Sequence, residues 1–126
     1  MKRVIAALLL LATAVSIAVW SGITFKKEMD SLAASIKNLI VCSEKCSDKE
    51  LEKETQKLVH MWNNSSELLH SLVVHEEMDK LEEAITSLPL ILRYSEKTEF
   101  VNKCIEAVNI ISNLTQAEKL NLGNVL

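Results

Sequence analysis

The sequence predicts an all-α protein: an N-terminal transmembrane helix followed by an antiparallel three- or four-helix bundle. Three observations predict it. Val4 to Trp20 reads VIAALLLLATAVSIAVW, with no charge, Pro or Gly. Beyond it, apolar residues recur at alternating intervals of three and four, the period of a helix with one buried face. The whole chain holds only 2 Gly, 1 Pro and 4% aromatics, against abundant Lys, Glu, Leu, Ala and Ile. That composition favours helix and is poor material for a β-sandwich.

The first element is the anchor. A bilayer core takes about 20 mostly apolar residues in helical form, and residues 4–25 supply them if Ser21, Gly22 and Thr24 sit at the interface. Trp20 and Phe25 stand where interfacial aromatics sit. Lys2 and Arg3 with the amino terminus precede the span, whereas Lys26 and Lys27 follow it together with Glu28 and Asp30. The excess of basic charge before the span places the N-terminus in the cytoplasm and the rest outside. The expectation is therefore a single-pass protein of the cell membrane, residues 1–25 forming a signal anchor and 26–126 an extracytoplasmic bundle domain. The alternative is a secreted protein cleaved near Ala18, because Ser16 and Ala18 fit the small-residue pattern of signal-peptide cleavage. A third reading, a helix buried in a soluble core, also fits an apolar run.

Charge narrows the partners. The net charge is −3; without Lys2 and Arg3, 12 of the 14 basic residues remain against all 17 acidic ones, about −5 for the outer part. Nucleic acid demands a basic face and is excluded as a partner, and an anionic lipid surface is disfavoured for the same reason. What remains is the lipid bilayer through residues 4–25 and, for the bundle, a membrane protein partner or self-association.

After the anchor, Phe25, Met29, Leu32, Ile36 and Leu39 form a narrow seam, continuous with the anchor helix or bent at Ser21-Gly22. Ser43 to Ser47 interrupts the pattern. Ser47-Asp48-Lys49-Glu50 then matches a capping box that opens a second helix. Its face is Leu51, Leu58, Trp62 and Leu69, with Thr55 and Ser65 in the gaps. Asn63-Asn64-Ser65-Ser66 is either a break or an exposed turn, since these are poor helix formers. Leu72 to His75 marks the expected reversal. A third helix carries Met78, Leu81, Ile85, Leu88 and Leu92, with a kink or an end expected at Pro89. Ser95 is expected to cap a fourth helix with Phe100, Val101, Cys104, Val108 and Ile111 inward. Thr115 to Glu118, a second capping-box match, opens an apolar tail of Leu120, Leu122, Val125 and Leu126, expected to pack on the bundle. Trp62, on the seam beside small Ser65, is expected to be a structural anchor of the core.

Reaction chemistry is not legible. The 3 cysteines, Cys42, Cys46 and Cys104, make a poor disulfide framework, being odd in number. Residues four apart in a helix share a face but aim badly for a bond. Small apolar roles are the preferred reading, and a Cys42–Cys46 bridge requires that stretch to be a turn. Zinc lacks a second Cys or His pair at ligand spacing. The densest polar group is His75, Glu76, Glu77 and Asp79, with Glu82 nearby. HEEMD is not H-E-x-x-H, because Asp79 stands where the second His belongs. This face is a solvated helix surface or an interaction surface; as a metal site it has too few ligands. His60 and His70 read as surface residues. No nucleophile elbow and no phosphate-binding Gly loop occurs. Three Asn-x-Ser/Thr triplets, at Asn63, Asn64 and Asn113, matter only in a eukaryotic secretory pathway. No enzyme activity and no cofactor is expected.

The chain resembles a family of small, single-span, helical proteins of Gram-positive bacteria known as domain of unknown function 4363. The residues that carry the resemblance are Lys2-Arg3, the anchor ending at Trp20, and Trp62. With them go the run His75-Glu76-Glu77-Met78-Asp79-Lys80-Leu81-Glu82 and the ending Glu118 to Leu122 with Asn124 to Leu126. Pro89 and Gly123 depart from the pattern. The resemblance implies no activity. It implies a setting beside small multi-span membrane proteins, some linked to sporulation, and a more distant likeness to a helical membrane-anchored component of a sporulation channel assembly. The function expected is a non-enzymatic, membrane-tethered helical interaction module, an accessory subunit of a larger membrane protein. The alternative is a small-ligand or metal sensor using the acidic face from His75 to Glu82.

Overall fold

The computed structural model describes residues 1–72 and 76–125. The expected reversal at Leu72 to His75 falls largely on the three residues between these stretches, and His75 itself lies outside the described residues. Four helices follow one another: α1 (Lys2–Lys45), α2 (Asp48–Leu72), α3 (Glu76–Tyr94) and α4 (Lys97–Val125). α1 packs on α2 and α4, and α3 packs on the same two, with no diagonal contact among the described residues. That is a square, up-down-up-down bundle with short connections. The second half of α1 is one of its four helices.

α1 answers the question left at Ser21-Gly22: it runs unbroken for 44 residues. Its two ends sit in different surroundings. None of the residues in its most apolar window is buried inside the protein, and the window is long and apolar enough to cross a membrane. From Gly22 onward the helix turns a seam into the core: Gly22, Phe25, Met29, Leu32, Ile36 and Leu39 are buried. The core therefore reaches back into the stretch assigned above to the anchor, since Phe25 is 1% exposed. Each such side chain withdrawn from water contributes roughly 1.5–3 kcal/mol before the cost of ordering the chain.

α1 ends where the sequence pattern breaks. Cys46 is its C-cap in extended conformation, and its N–H still bonds the Cys42 carbonyl. Leaving the helix is what lets the two cysteines pair. Their Cα atoms lie 4.8 Å apart in a Cys42–Cys46 disulfide, closer than the roughly 6 Å that four residues of helix span. The reading of Cys42 and Cys46 as unpaired small residues is thus corrected. It treated the stretch as regular helix, and Cys46 is outside it.

The Ser47 cap is present: Ser47 Oγ accepts the Glu50 N–H at 3.2 Å. α2 continues through Asn63 to Ser66 without a break. Leu51, Thr55, Leu58, Trp62 and Leu69 are buried, and buried Thr55 satisfies its hydroxyl on the Leu51 carbonyl at 2.7 Å. Pro89 lies inside α3 and does not end it. One ladder bond is lost there, but buried Leu88 and the half-buried Ile91 and Leu92 hold the last turn on the core. Ser95 closes α3, its N–H bonding the Ile91 carbonyl, while the first turn of α4 bonds to the Glu96 carbonyl. The cap is therefore Glu96 and not Ser95. Thr115 opens no new helix either. It lies within α4 and donates its hydroxyl to the Ile111 carbonyl at 2.9 Å. The buried face of α4 is Phe100, Cys104, Ala107, Ile110, Ile111 and Leu114, rotated from the expected one so that Val101 and Val108 flank it. Leu120 is 70% exposed, which corrects the expectation that it packs on the bundle; the other tail side chains lie outside the described residues.

Candidate functional site

The polar group singled out in sequence lies at the start of α3, and the core residues fix its rotation. Met78 and Leu81 are fully buried, so Asp79 and Glu82, one position further on, stand at the flank. Glu76 is exposed. Glu77 turns back along its own helix, its Oε1 accepting from Lys80 Nζ at 3.0 Å. That hydrogen bond, then the charge of Glu77, holds the Lys80 ammonium above its usual pKa. Lys80 is open to solvent, so the pair contributes little to stability.

The residue that completes the group comes from α2. Leu69 is buried on the seam, which places His70 beside it facing α3. His70 Nε2 lies 4.0 Å from Glu82 Oε2, with side chains 37% and 48% exposed. One ligand atom each from His70, Asp79 and Glu82 lie within 4.8 Å of one another. The structure thus joins Asp79 and Glu82 with His70, which the sequence had left on the surface. The signal that could have found it is position: a residue next to a seam leucine borders the neighbouring helix. One imidazole with two carboxylates is a donor set for zinc or another transition ion and not for calcium, which takes oxygen ligands. Donors at about 2.1 Å in a tetrahedral site stand about 3.4 Å apart, so this trio would have to draw in to hold such an ion.

Trp62 supports this face from beneath. It is wholly buried, and its ring meets His70 edge-on at 6.2 Å between centroids with planes at 76°. Its indole N–H has no acceptor among the described residues. Burying an unmatched donor costs about 1–3 kcal/mol, so the ring is held for its volume. Next along α2, Ser65 Oγ donates to Glu28 Oε2 of α1 at 3.0 Å. Trp62 thus lies wholly enclosed on the α2 seam.

At the end of the bundle away from the apolar half of α1, charged pairs link the helices. Lys97 Nζ and Asp48 Oδ1 are 3.2 Å apart, and Arg93 reaches Glu52 at 3.9 Å. Both pairs are well exposed and worth little. Cys104 is the free thiol, wholly enclosed, and burial pushes its pKa up to about 12. A thiol so placed is a packing group and no nucleophile.

No curated protein and no solved structure matches the chain. The family described as a domain of unknown function (DUF4363) matches residues 19–125, which covers the bundle and the end of the apolar run. The chain belongs to the DUF4363 family.

Proposed function

We propose that this protein is a non-enzymatic, membrane-tethered helical module that binds another membrane protein as an accessory subunit. The observation that carries the reading is α1 itself. One unbroken helix holds an exposed apolar segment at one end and a buried bundle seam at the other. Such a rod holds a folded surface at a set height above a bilayer, a property of use to a binding module and of none to a diffusing enzyme. The basic residues Lys2 and Arg3 favour a cytoplasmic N-terminus. The Cys42–Cys46 disulfide favours a bundle outside, because disulfides persist in oxidising compartments.

The test is crosslinking in native membranes from residues on the bundle surface, followed by mass spectrometry. The expected result is one reproducible membrane-protein partner. Recovery of only uncrosslinked chain or random neighbours would count against the module. The second reading, a divalent-cation sensor, is favoured by the trio His70, Asp79 and Glu82. A soluble fragment covering residues 22–126 whose melting temperature rises with zinc, and no longer does so as Asp79→Asn, would put the sensor first.

A further inference from the structure

We propose that the Cys42–Cys46 disulfide is an exchangeable redox switch: a dithiol attacks Cys46 Sγ, Cys42 departs as the leaving thiol, and the junction between α1 and α2 is freed. This exchange goes beyond the module reading above and does not depend on it. A disulfide that holds a fold together joins separate elements or closes a long loop. This one does neither. Both cysteines belong to the last turn of α1 and its cap, at a sequence separation of 4. α1 and α2 are held together without the bond, because Leu39 of α1 and Leu51 and Leu58 of α2 are buried in one core. The bundle can therefore lose the bond and stay folded.

Access then sets the order of the chemistry. Cys42 and Cys46 line one open cleft between α1 and α2, of about 670 Å³, with Leu39, Leu58 and Met61. Cys42 is 7% exposed, whereas Cys46 is half-buried and stands in extended backbone at the helix end. An incoming thiolate meets the Cys46 sulfur first. Lys45, Lys53 and Lys57 line the same cleft together with Glu50 and Glu54. Glu54 is engaged by Lys57 at 3.2 Å, which leaves two ammonium groups against one carboxylate. That excess favours both the approaching thiolate and the one released, in a chain whose net charge is −3.

The first thiolate forms a mixed disulfide with Cys46, and the electron pair of the broken S–S bond leaves on Cys42, which takes a proton. The second thiol of the reductant then attacks its own sulfur in the mixed disulfide and expels Cys46, which is protonated in turn. Two electrons and two protons have passed to the cysteines, and the reductant leaves as a disulfide. Cys104 takes no part, being wholly enclosed. The freed thiols remain neighbours on one turn, their Cα atoms 4.8 Å apart, within the range a disulfide spans. A disulfide oxidant can therefore restore the bond. Reduction lifts the restraint on Cys46 directly before the Ser47 cap of α2, so the turn and the cleft respond and the four-helix core does not.

The test uses the full chain in a non-denaturing detergent at neutral pH, with dithiothreitol as the probe and thiols counted by alkylation and mass spectrometry. The expected result is reduction in the folded chain, with circular dichroism unchanged, at a rate proportional to dithiothreitol and within about tenfold of the rate in urea. A rate that levels off at that of unfolding, or reduction that needs urea, overturns the proposal, because the bond would then be enclosed structure. The order of attack is read with glutathione disulfide on two variants that each keep one thiol of the pair. Cys46 in Cys42→Ser should form the mixed disulfide about tenfold faster than Cys42 in Cys46→Ser. Both variants lack the bond equally, so a difference between them is not a loss of folding. Equal rates, or a faster Cys42, overturn Cys46 as the sulfur attacked.

Discussion

The two halves of α1 are one helix in two kinds of surroundings. In the first half every face is apolar and exposed: Leu10 is 73% and Leu11 61% exposed. In the second half only one face is apolar, and it is buried: Met29, Leu32 and Ile36 show no exposure. A side chain of the same chemistry thus has two roles, set by the pattern around it. An apolar residue on an all-apolar helix meets lipid or a partner helix. The same residue on a three-four seam meets the chain's own core.

The largest effect expected from this contrast is in the seam. Trp62→Ala should cost about 3–5 kcal/mol through lost burial and a cavity, and Ile36→Ala about 2–5 kcal/mol. A bundle of this size has about 5–15 kcal/mol in hand, so Trp62→Ala should nearly abolish cooperative unfolding. Leu10→Ala should leave the melting of the bundle unchanged. Thermal melts of the three variants in the same detergent check this. Equal losses from Leu10→Ala and Ile36→Ala would show that the anchor half packs in the fold and would break the contrast.

The seams were legible because they rest on period alone. Phe25 to Leu39 and Leu51 to Leu69 were readable because buried positions recur every three or four residues whatever the partner. What period does not encode was missed. The spacing shows the pattern breaking between Ser43 and Ser47 but not which residue first leaves the helix, and that local backbone choice decides whether Cys42 and Cys46 can bond. Ser95 and Thr115 carry good cap chemistry, yet the chain uses Glu96 and an uninterrupted helix, because packing of Phe100, Ile111 and Leu114 outweighs a cap worth about 1 kcal/mol. One of the three residues of the candidate site was equally hidden. Asp79 and Glu82 could be placed on a face, but His70 joins them only through the pairing of α2 with α3. The sequence reading had instead relied on His75, from its own helix.

Next in size is the disulfide at the outer end of the seam. It closes a very short loop, for which the chain-entropy estimate is about 2 kcal/mol. Reduction, or Cys46→Ser, should lower the unfolding midpoint accordingly without changing helix content. Urea melts followed by circular dichroism, with and without reductant, measure it. No change on reduction would mean that the turn from Cys46 to Ser47 is equally restrained in the unfolded chain.

A smaller effect separates the core from its surface by pH. Burial raises the Cys104 thiol from 9.0 to about 12. Below pH 9 both folded and unfolded chains keep the proton, so stability is unaffected. Between about pH 9 and 12 the unfolded chain loses it and the folded chain does not, so stability falls as pH rises, by about 1 kcal/mol at pH 10. The comparison is wild type against Cys104→Ala at pH 8 and pH 10. The alanine variant should lack this part of the alkaline loss. An identical loss in both would mean that the thiol ionises as freely in the fold as outside it.

The smallest effect belongs to the polar face, and it decides between the two functional readings. His70 and Glu82 are 4.0 Å apart and both more than a third exposed, so their attraction is screened and worth about 0–1 kcal/mol. Asp79 is exposed and should contribute less. Asp79→Asn should therefore shift the stability of the bundle by no more than about 0.5 kcal/mol, in the direction of gain if the carboxylates of Asp79 and Glu82 repel. Zinc should add nothing to either variant if the face is only solvated. Should Asp79→Asn instead cost as much as a seam residue, or should zinc stabilise the parent and not the variant, the polar flank would be an organised site supported by Trp62 from beneath. The contrast between a buried structural seam and an idle surface would then fail at the place where α2 and α3 meet, and cation binding would take precedence over the scaffold.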